Sequence, residues 1–227
     1  MPRIYKLSRA GLRLLYKIRH HKGHGIHSPF VFNLITKVIE DKSSYPAYDD
    51  IKSLLGDSSS QRRFNKYSRL YYRLTDYFEV KQVLELGSGY GIDTLSVTAP
   101  STNTSCTCIE LSERKRAEAQ KLYSLLDKNI VLYKNLKEVS LSEKQDCILI
   151  DLNSYNKLSD DIIKYISSLS YEKTFIIVKG IRTNKRHQML WRDIIRIDSR
   201  TAVLDLFNVG IIFFDKRLYR WSYQISF

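Results

Sequence analysis

No acidic side chain occurs before Glu40, although eight lysines and arginines do. Such an arm cannot cancel its own charge. It suits a phosphate-bearing surface, whether nucleic acid or lipid headgroup, or a solvated basic face. Nowhere does an apolar run approach the roughly 18 residues a membrane helix needs, so no integral membrane span is expected. The first residues also lack the long apolar stretch of a secretory signal, because basic residues recur every third or fourth position from Arg3 to Lys17. Cysteine is scarce and odd in number: Cys106, Cys108 and Cys147. Two of them share one apparent strand, a pattern of reduced packing thiols, and the expected compartment is cytoplasmic. Internal repeats are lacking too.

What is present is a 227-residue chain with 37 basic and 24 acidic side chains, a formal charge of +13. That length supports one sizeable core with a small appended segment. The expected division is a helical, basic N-terminal cap over residues 1–60 and a main domain over 61–227. In the cap, Ile4, Leu7, Leu14, Leu15 and Ile18 fall on one helical arc, and Arg3, Lys6, Arg9, Arg13 and Lys17 on another. Such a helix could pack on the core or on a second subunit, lie on an anionic membrane surface, or grip nucleic-acid phosphates. A glycine-containing histidine loop follows, with His20, His21, His24 and His27 within eight residues. Ser28 then caps a helix that Pro29 begins, predicted to run to about Asp41. "GDSSS" at 56–60 is the best linker candidate, and "QRRFNKYSRLYYRLTDYF" reads as a helix entering the main domain.

From residue 81 short apolar strands alternate with helical stretches. Strands are predicted at about 81–86, 104–110, 129–133, 146–151 and 173–179. Helices are predicted near 91–99, 113–127, 136–142, 158–169 and 184–196. "CILI" and "FIIV" are apolar throughout, as strands covered on both faces should be. The alternation implies an α/β fold, a mostly parallel sheet with helices on both sides. "TAVLDLFNVGIIFF" instead holds two strands joined tightly around Asn208, which forces them antiparallel.

The first strand runs into "VLELGSGYGIDTL", with Gly87, Gly89 and Gly91 at alternate positions. In an open parallel sheet the ligand binds at the carboxyl ends of the strands, so this turn marks a site. Glycines there admit positive φ and close ligand approach. Glu85, at the strand's end, would repel a pyrophosphate. A cofactor with positive charge and no phosphate, such as S-adenosylmethionine (SAM), removes the conflict.

"ELGSGYG" resembles the first motif of the class I SAM-dependent methyltransferases, and further landmarks follow in order over about residues 64–215. "SCTCIE" ends in Glu110, followed by Leu111, where the family has an acid for the ribose hydroxyls. "VLYKNL" puts Asn135 where an acid or amide approaches the adenine. "DCILIDLNSY" places Asp151 at the methyl-transfer centre. The resemblance implies a Rossmann-like, seven-stranded sheet with an antiparallel C-terminal strand. It also implies SAM as cofactor, with Glu85, Gly87, Ser88, Gly89, Gly91, Glu110, Leu111, Asn135 and Asp151 in its site.

Asp151 is the first candidate for a catalytic base or orienter, and Lys179, at the end of the fifth strand, the second catalytic candidate. The related metal-dependent O-methyltransferases place a second acid where Lys179 and Arg182 stand, so no catalytic metal is expected. Lys179, Arg182, Lys185, Arg186 and His187 instead suggest an anionic small-molecule substrate, with His24, His27, Arg182 and His187 as candidate contacts. Nucleic acid is the alternative acceptor, although the fourth motif reads "DLNS" and lacks the Pro-Pro-aromatic pattern of base amine methylation. A non-catalytic binding protein of the same fold is a third reading.

Overall fold

The computed structural model describes residues 28–227 together with Gly11 and Leu14. The basic arc over residues 3–18 therefore falls almost wholly outside the described residues, and the histidine loop, including His24 and His27, lies outside them entirely. Ser28 caps helix α1 (Pro29–Leu34) as the Ser-Pro pair predicts, accepting from the Val31 N–H at 3.4 Å. The helix then widens into a π-helical turn, Ile35–Ile39. Arg73 lies buried beneath it, donating through Nε to Val38 O (2.6 Å), through Nη2 to Ile39 O (3.3 Å) and through Nη1 to Tyr48 Oη (3.3 Å). A guanidinium with several donors collects the orphan carbonyls of a helix end and so ties this segment to the core.

Two helices follow, α2 (Pro46–Leu55) and α3 (Ser58–Arg63). The expected linker at 56–60 is thus the start of a helix. Asp57 caps it, accepting from the Ser59 and Ser60 N–H groups at 2.8 and 2.9 Å. Residues that favour linkers also favour caps, because short polar side chains bond nearby backbone. The helix expected over 61–78 is broken at buried Phe64, and Asn65 caps a new one, α4 (Lys66–Tyr77).

The main sheet has eight strands: β1 (Gln82–Leu86), β2 (Ser105–Ile109), β3 (Ile130–Tyr133), β4 (Cys147–Asp151), β5 (Phe175–Lys179), β6 (Ala202–Asp205), β7 (Val209–Phe213) and β8 (Trp221–Gln224). Their order is β3-β2-β1-β4-β5-β7-β6-β8, with the first five parallel and β7 antiparallel to both neighbours. The eighth strand exceeds the seven that the resemblance implied. "WSYQ" is short and mostly exposed, so no apolar alternation announces it. Helices α5 (Ile92–Thr98), α6 (Glu113–Tyr123), α7 (Asp160–Leu169) and α8 (Lys185–Ile194) complete the layers. The helix expected at 136–142 is a single 3-10 turn, Leu136–Glu138.

The strands alternate between two cores. Val83, Cys106, Cys108, Leu149 and Ile177 face one, and Leu84, Leu86, Ile109, Ile148, Ile150 and Val178 the other. The chain leaves β1 toward β2 and β3, then returns to β4 and β5 on the opposite side. The strand order therefore reverses between β1 and β4, and a crevice opens at their carboxyl ends.

Candidate functional site

The glycine turn occupies that reversal point. Gly87, Gly89 and Gly91 have φ of +87°, +61° and +84°, conformations side chains rarely adopt. At Gly87 space is equally decisive: a Cβ would lie 2.9 Å from Tyr155 N and 3.1 Å from Asp151 O. The segment after β4 thus presses directly on the turn.

Glu110 follows β2 and closes the turn from the front. Its Oε2 accepts from Gly89 N at 2.7 Å and its Oε1 from Ser112 N at 2.8 Å. Each oxygen keeps a further lone pair for a ligand hydroxyl. Lys115 Nζ donates to Ser154 Oγ at 3.1 Å, and that Oγ lies beside Gly89. Beyond Leu111, a cavity of about 650 Å³ opens, lined also by Asn135, Leu136, Tyr155, Ile162 and Tyr165. Asn135 forms the rim of this cavity while capping the 3-10 turn, accepting from Lys137 N (3.0 Å) and donating to Glu138 (2.9 Å).

Glu85 does not join this front. It shares the alternation of Val83 and points to the face covered by α5 and α6, where it is 1% exposed. Its Oε2 accepts from Thr94 Oγ1 at 2.6 Å, and Cys108 Sγ lies 3.6 Å away. Burial, only partly offset by the Thr94 hydrogen bond, pushes its carboxyl up to about 8. An acid that is mostly protonated at neutral pH, behind the turn, exerts little pull on a cofactor's positive charge. Glu85 is thus next to the glycine turn along the strand but not in the cleft, contrary to the expectation that it would meet the cofactor's positive charge.

At the carboxyl ends of β4 and β5, Asp151 and Lys179 are register partners. Lys179 Nζ lies 3.2 Å from Asp151 Oδ2 and 2.5 Å from Asp93 Oδ2, with the lysine side chain 32% exposed. Burial alone would lower this ammonium, but Asp93 and Asp151 outweigh it and hold Lys179 well above the ordinary lysine value. Ser68 Oγ on α4 donates to Asp93 Oδ1 at 2.8 Å, and Asn153 donates to Asp151 Oδ1 through its N–H and Nδ2 at 2.8 and 2.9 Å. Asp93 was absent from the residues read from sequence. Its signal was positional, a carboxylate in the first turn of the helix that follows the glycines.

The cations expected to cluster with Lys179 are dispersed. Arg182 forms a two-pronged pair with Asp205, at 2.6 Å on each arm, and also donates to Phe207 O at 2.9 Å. His187 is buried, and its Nδ1 donates to Gly180 O at 3.0 Å. Asn184 caps α8 by accepting from His187 N at 2.8 Å. The strand-end glycine, Gly180, and the β6–β7 turn draw these groups away from the crevice, so Arg182 and His187 serve the architecture. Among the described residues, the one group with metal-ligand spacing is Glu85, Cys106 and Cys108, in the core.

No protein-family model matches the chain, and no curated protein matches it in sequence. Solved structures do match it in fold. An SAH-bound methyltransferase of Podospora anserina, PaMTH1, is 13% identical over 83% of this chain and 97% of its own, with a TM-score of 0.56. A methyltransferase of Geobacter sulfurreducens is 13% identical over 82% and 96%, with a TM-score of 0.53. The O-methyltransferase TomG of Streptomyces achromogenes, solved in complex with SAM, is 12% identical over 76% and 91%, with a TM-score of 0.51. The chain has the Rossmann-like fold of the class I SAM-dependent methyltransferases, carrying one extra strand at its edge.

Proposed function

We propose that this chain is a SAM-dependent methyltransferase acting on the oxygen or nitrogen of a small molecule, without a catalytic metal. The carrying observation is Glu110, which joins the glycine turn to the end of β2 while keeping lone pairs for a diol. The residues fit the cofactor in two further respects. The turn admits no Cβ at Gly87, and two buried hydroxyls at this end of the sheet, Tyr71 Oη and Ser88 Oγ, have no hydrogen-bond partner. Glu110 would hold the ribose, Leu111 and Asn135 would flank the adenine, and Asp151 would face the reacting end. When bound, SAM supplies an electrophilic methyl group. Asp151 is positioned to orient the acceptor and take its proton, and Lys179 keeps that carboxylate in place.

Lys179 and Arg182 are both matched by acids, so the site's own cations no longer argue for an anionic acceptor. A nucleic-acid acceptor draws on a different observation. Tyr219 and Trp221 are 88% and 64% exposed near the free edge of β8, on either side of Arg220. Aromatic faces interleaved with cations suit single-stranded RNA, and steep salt dependence of RNA binding would favour that reading.

Calorimetric titration with SAM and with its demethylated product SAH, using NADH as control, tests the proposal. Micromolar binding of both, without NADH, is expected. Binding of neither overturns it, and tight binding with no transfer to any acceptor supports the non-catalytic reading.

A further inference from the structure

A second cavity, of about 370 Å³, lies between the α2–α3 corner and α6, and the methyl-transfer reading makes no use of it. The glycine turn reaches it through Tyr90 and Ile92. Leu55 and Ile92 are buried where they line it, Leu122 is half-buried, and Leu125 stands 65% exposed. A space of that size with an apolar floor is enough for a small molecule carrying a ring. Charged groups complete the wall: Arg63, Arg114 and Lys121 against Asp57 and Glu118, a net charge of +1. Both acids are engaged. Asp57 Oδ1 accepts from the Ser59 and Ser60 N–H groups at 2.8 and 2.9 Å, and Glu118 Oε1 lies 3.3 Å from Lys121 Nζ. Among the described residues, Arg63 and Arg114 have no acid within ion-pair distance.

Local structure fixes where the two guanidiniums stand. Helix α3 breaks at buried Phe64, which leaves Arg63 as its last residue, 4.2 Å over the ring of Tyr90. Arg114 is the second residue of α6, where the helix's own positive end opposes a cation. Its neighbours are compensated, Lys115 by Ser154 Oγ at 3.1 Å and Arg116 by Glu110 O at 2.9 Å, and Arg114 is not. An anion supplies the partner that both arginines lack. We propose that this cavity binds a small anion carrying an apolar ring, with its carboxylate, sulfate or phosphate group on Arg63 and Arg114 and its ring against Tyr90, Leu122 and Leu125. Tyr90 gives the site a consequence for the cofactor. It stands between Gly89, whose N–H Glu110 holds, and Gly91, where a Cβ would meet the Tyr123 ring at 2.7 Å. An occupant seated on Tyr90 bears on the turn that the SAM reading assigns to the cofactor, and by linkage each changes the other's affinity by the same factor. The linkage rests on the SAM reading, and the anion site does not.

Fluorescence titration of the full chain with 2-naphthalenesulfonate, and with 2-naphthol as its uncharged counterpart, tests the site. The sulfonate should saturate at one equivalent and bind tighter than naphthol by about 10-fold or more. Arg63→Gln and Arg114→Gln should each reduce that preference, and the double variant should abolish it. Both positions are exposed, so the variants are expected to fold, and Arg62→Gln, outside the cavity wall, should change nothing. No saturable binding of the sulfonate, equal affinity for naphthol, or a preference that survives the double variant overturns the proposal. Repeating the titration at saturating SAH should shift the sulfonate's Kd by about 5-fold or more. An unchanged Kd on protein that binds SAH overturns the linkage. Protein that binds the sulfonate and not SAH supports the anion site and overturns the SAM reading.

Discussion

Two buried glutamates stand on opposite sides of the glycine turn. On one side, Glu110 receives two backbone N–H groups, those of Gly89 and Ser112. Behind, Glu85 has a hydroxyl and a thiol for company and is pushed up to about 8 by burial. Both are almost wholly inaccessible, at 0% and 1%. Burial therefore does not decide what a carboxylate does. The number and kind of donors around it decide, and those depend on which way a strand turns its side chains.

The largest effect should come from the wall between the two acids. Gly87→Ala combines a positive φ with a Cβ 2.9 Å from a backbone nitrogen, so a loss of about 2–5 kcal/mol is expected by urea unfolding, together with loss of SAH binding. Unchanged stability would mean that the turn is not held as tightly as its geometry implies. Glu110→Gln comes next. It removes one acceptor from a pair of loop N–H groups, and calorimetry should show SAH binding weakened by about 10- to 100-fold in a folded protein. Glu110→Ala should also loosen the turn, since both N–H groups lose their partner.

Glu85→Gln should have the smallest effect at low pH and leave SAH affinity unaltered. Its folded value of about 8 lies above its ordinary 4.5, so Glu85 contributes fully below pH 4.5 and this contribution falls as pH rises toward 8. In that window the wild type should lose about 1.4 kcal/mol per pH unit relative to Glu85→Gln, measured by urea unfolding at pH 5, 6.5 and 8. A pH-independent difference would place Glu85 in a more polar setting, and weakened SAH binding would return it to the front of the turn.

Much of this molecule was legible in the chain. Strands β4 and β5 were visible because strands covered on both faces need continuous apolar runs, and the 201–214 hairpin because its join is too short for a crossover. Gly87, Gly89 and Gly91 were visible because a turn of this kind constrains residue type, and Glu110 through the resemblance of "SCTCIE" to the family's second landmark. Helix α3 was not, since "DSSS" serves a cap as well as a linker. Strand β8 was not, since an exposed edge carries no apolar alternation. Asp93 was missed because its partner lies 86 positions away along the chain.

The sequence by itself determined the α/β order of elements and the place of the glycine turn, because these rest on local periodicity and on φ, while Glu110 was reached through the family resemblance. Only the tertiary structure decided which charges meet. It turned Glu85 into the core, paired Arg182 with Asp205, and set Lys179 between Asp93 and Asp151. Side-chain partners are chosen by strand order and register, which bring together residues that no local pattern connects.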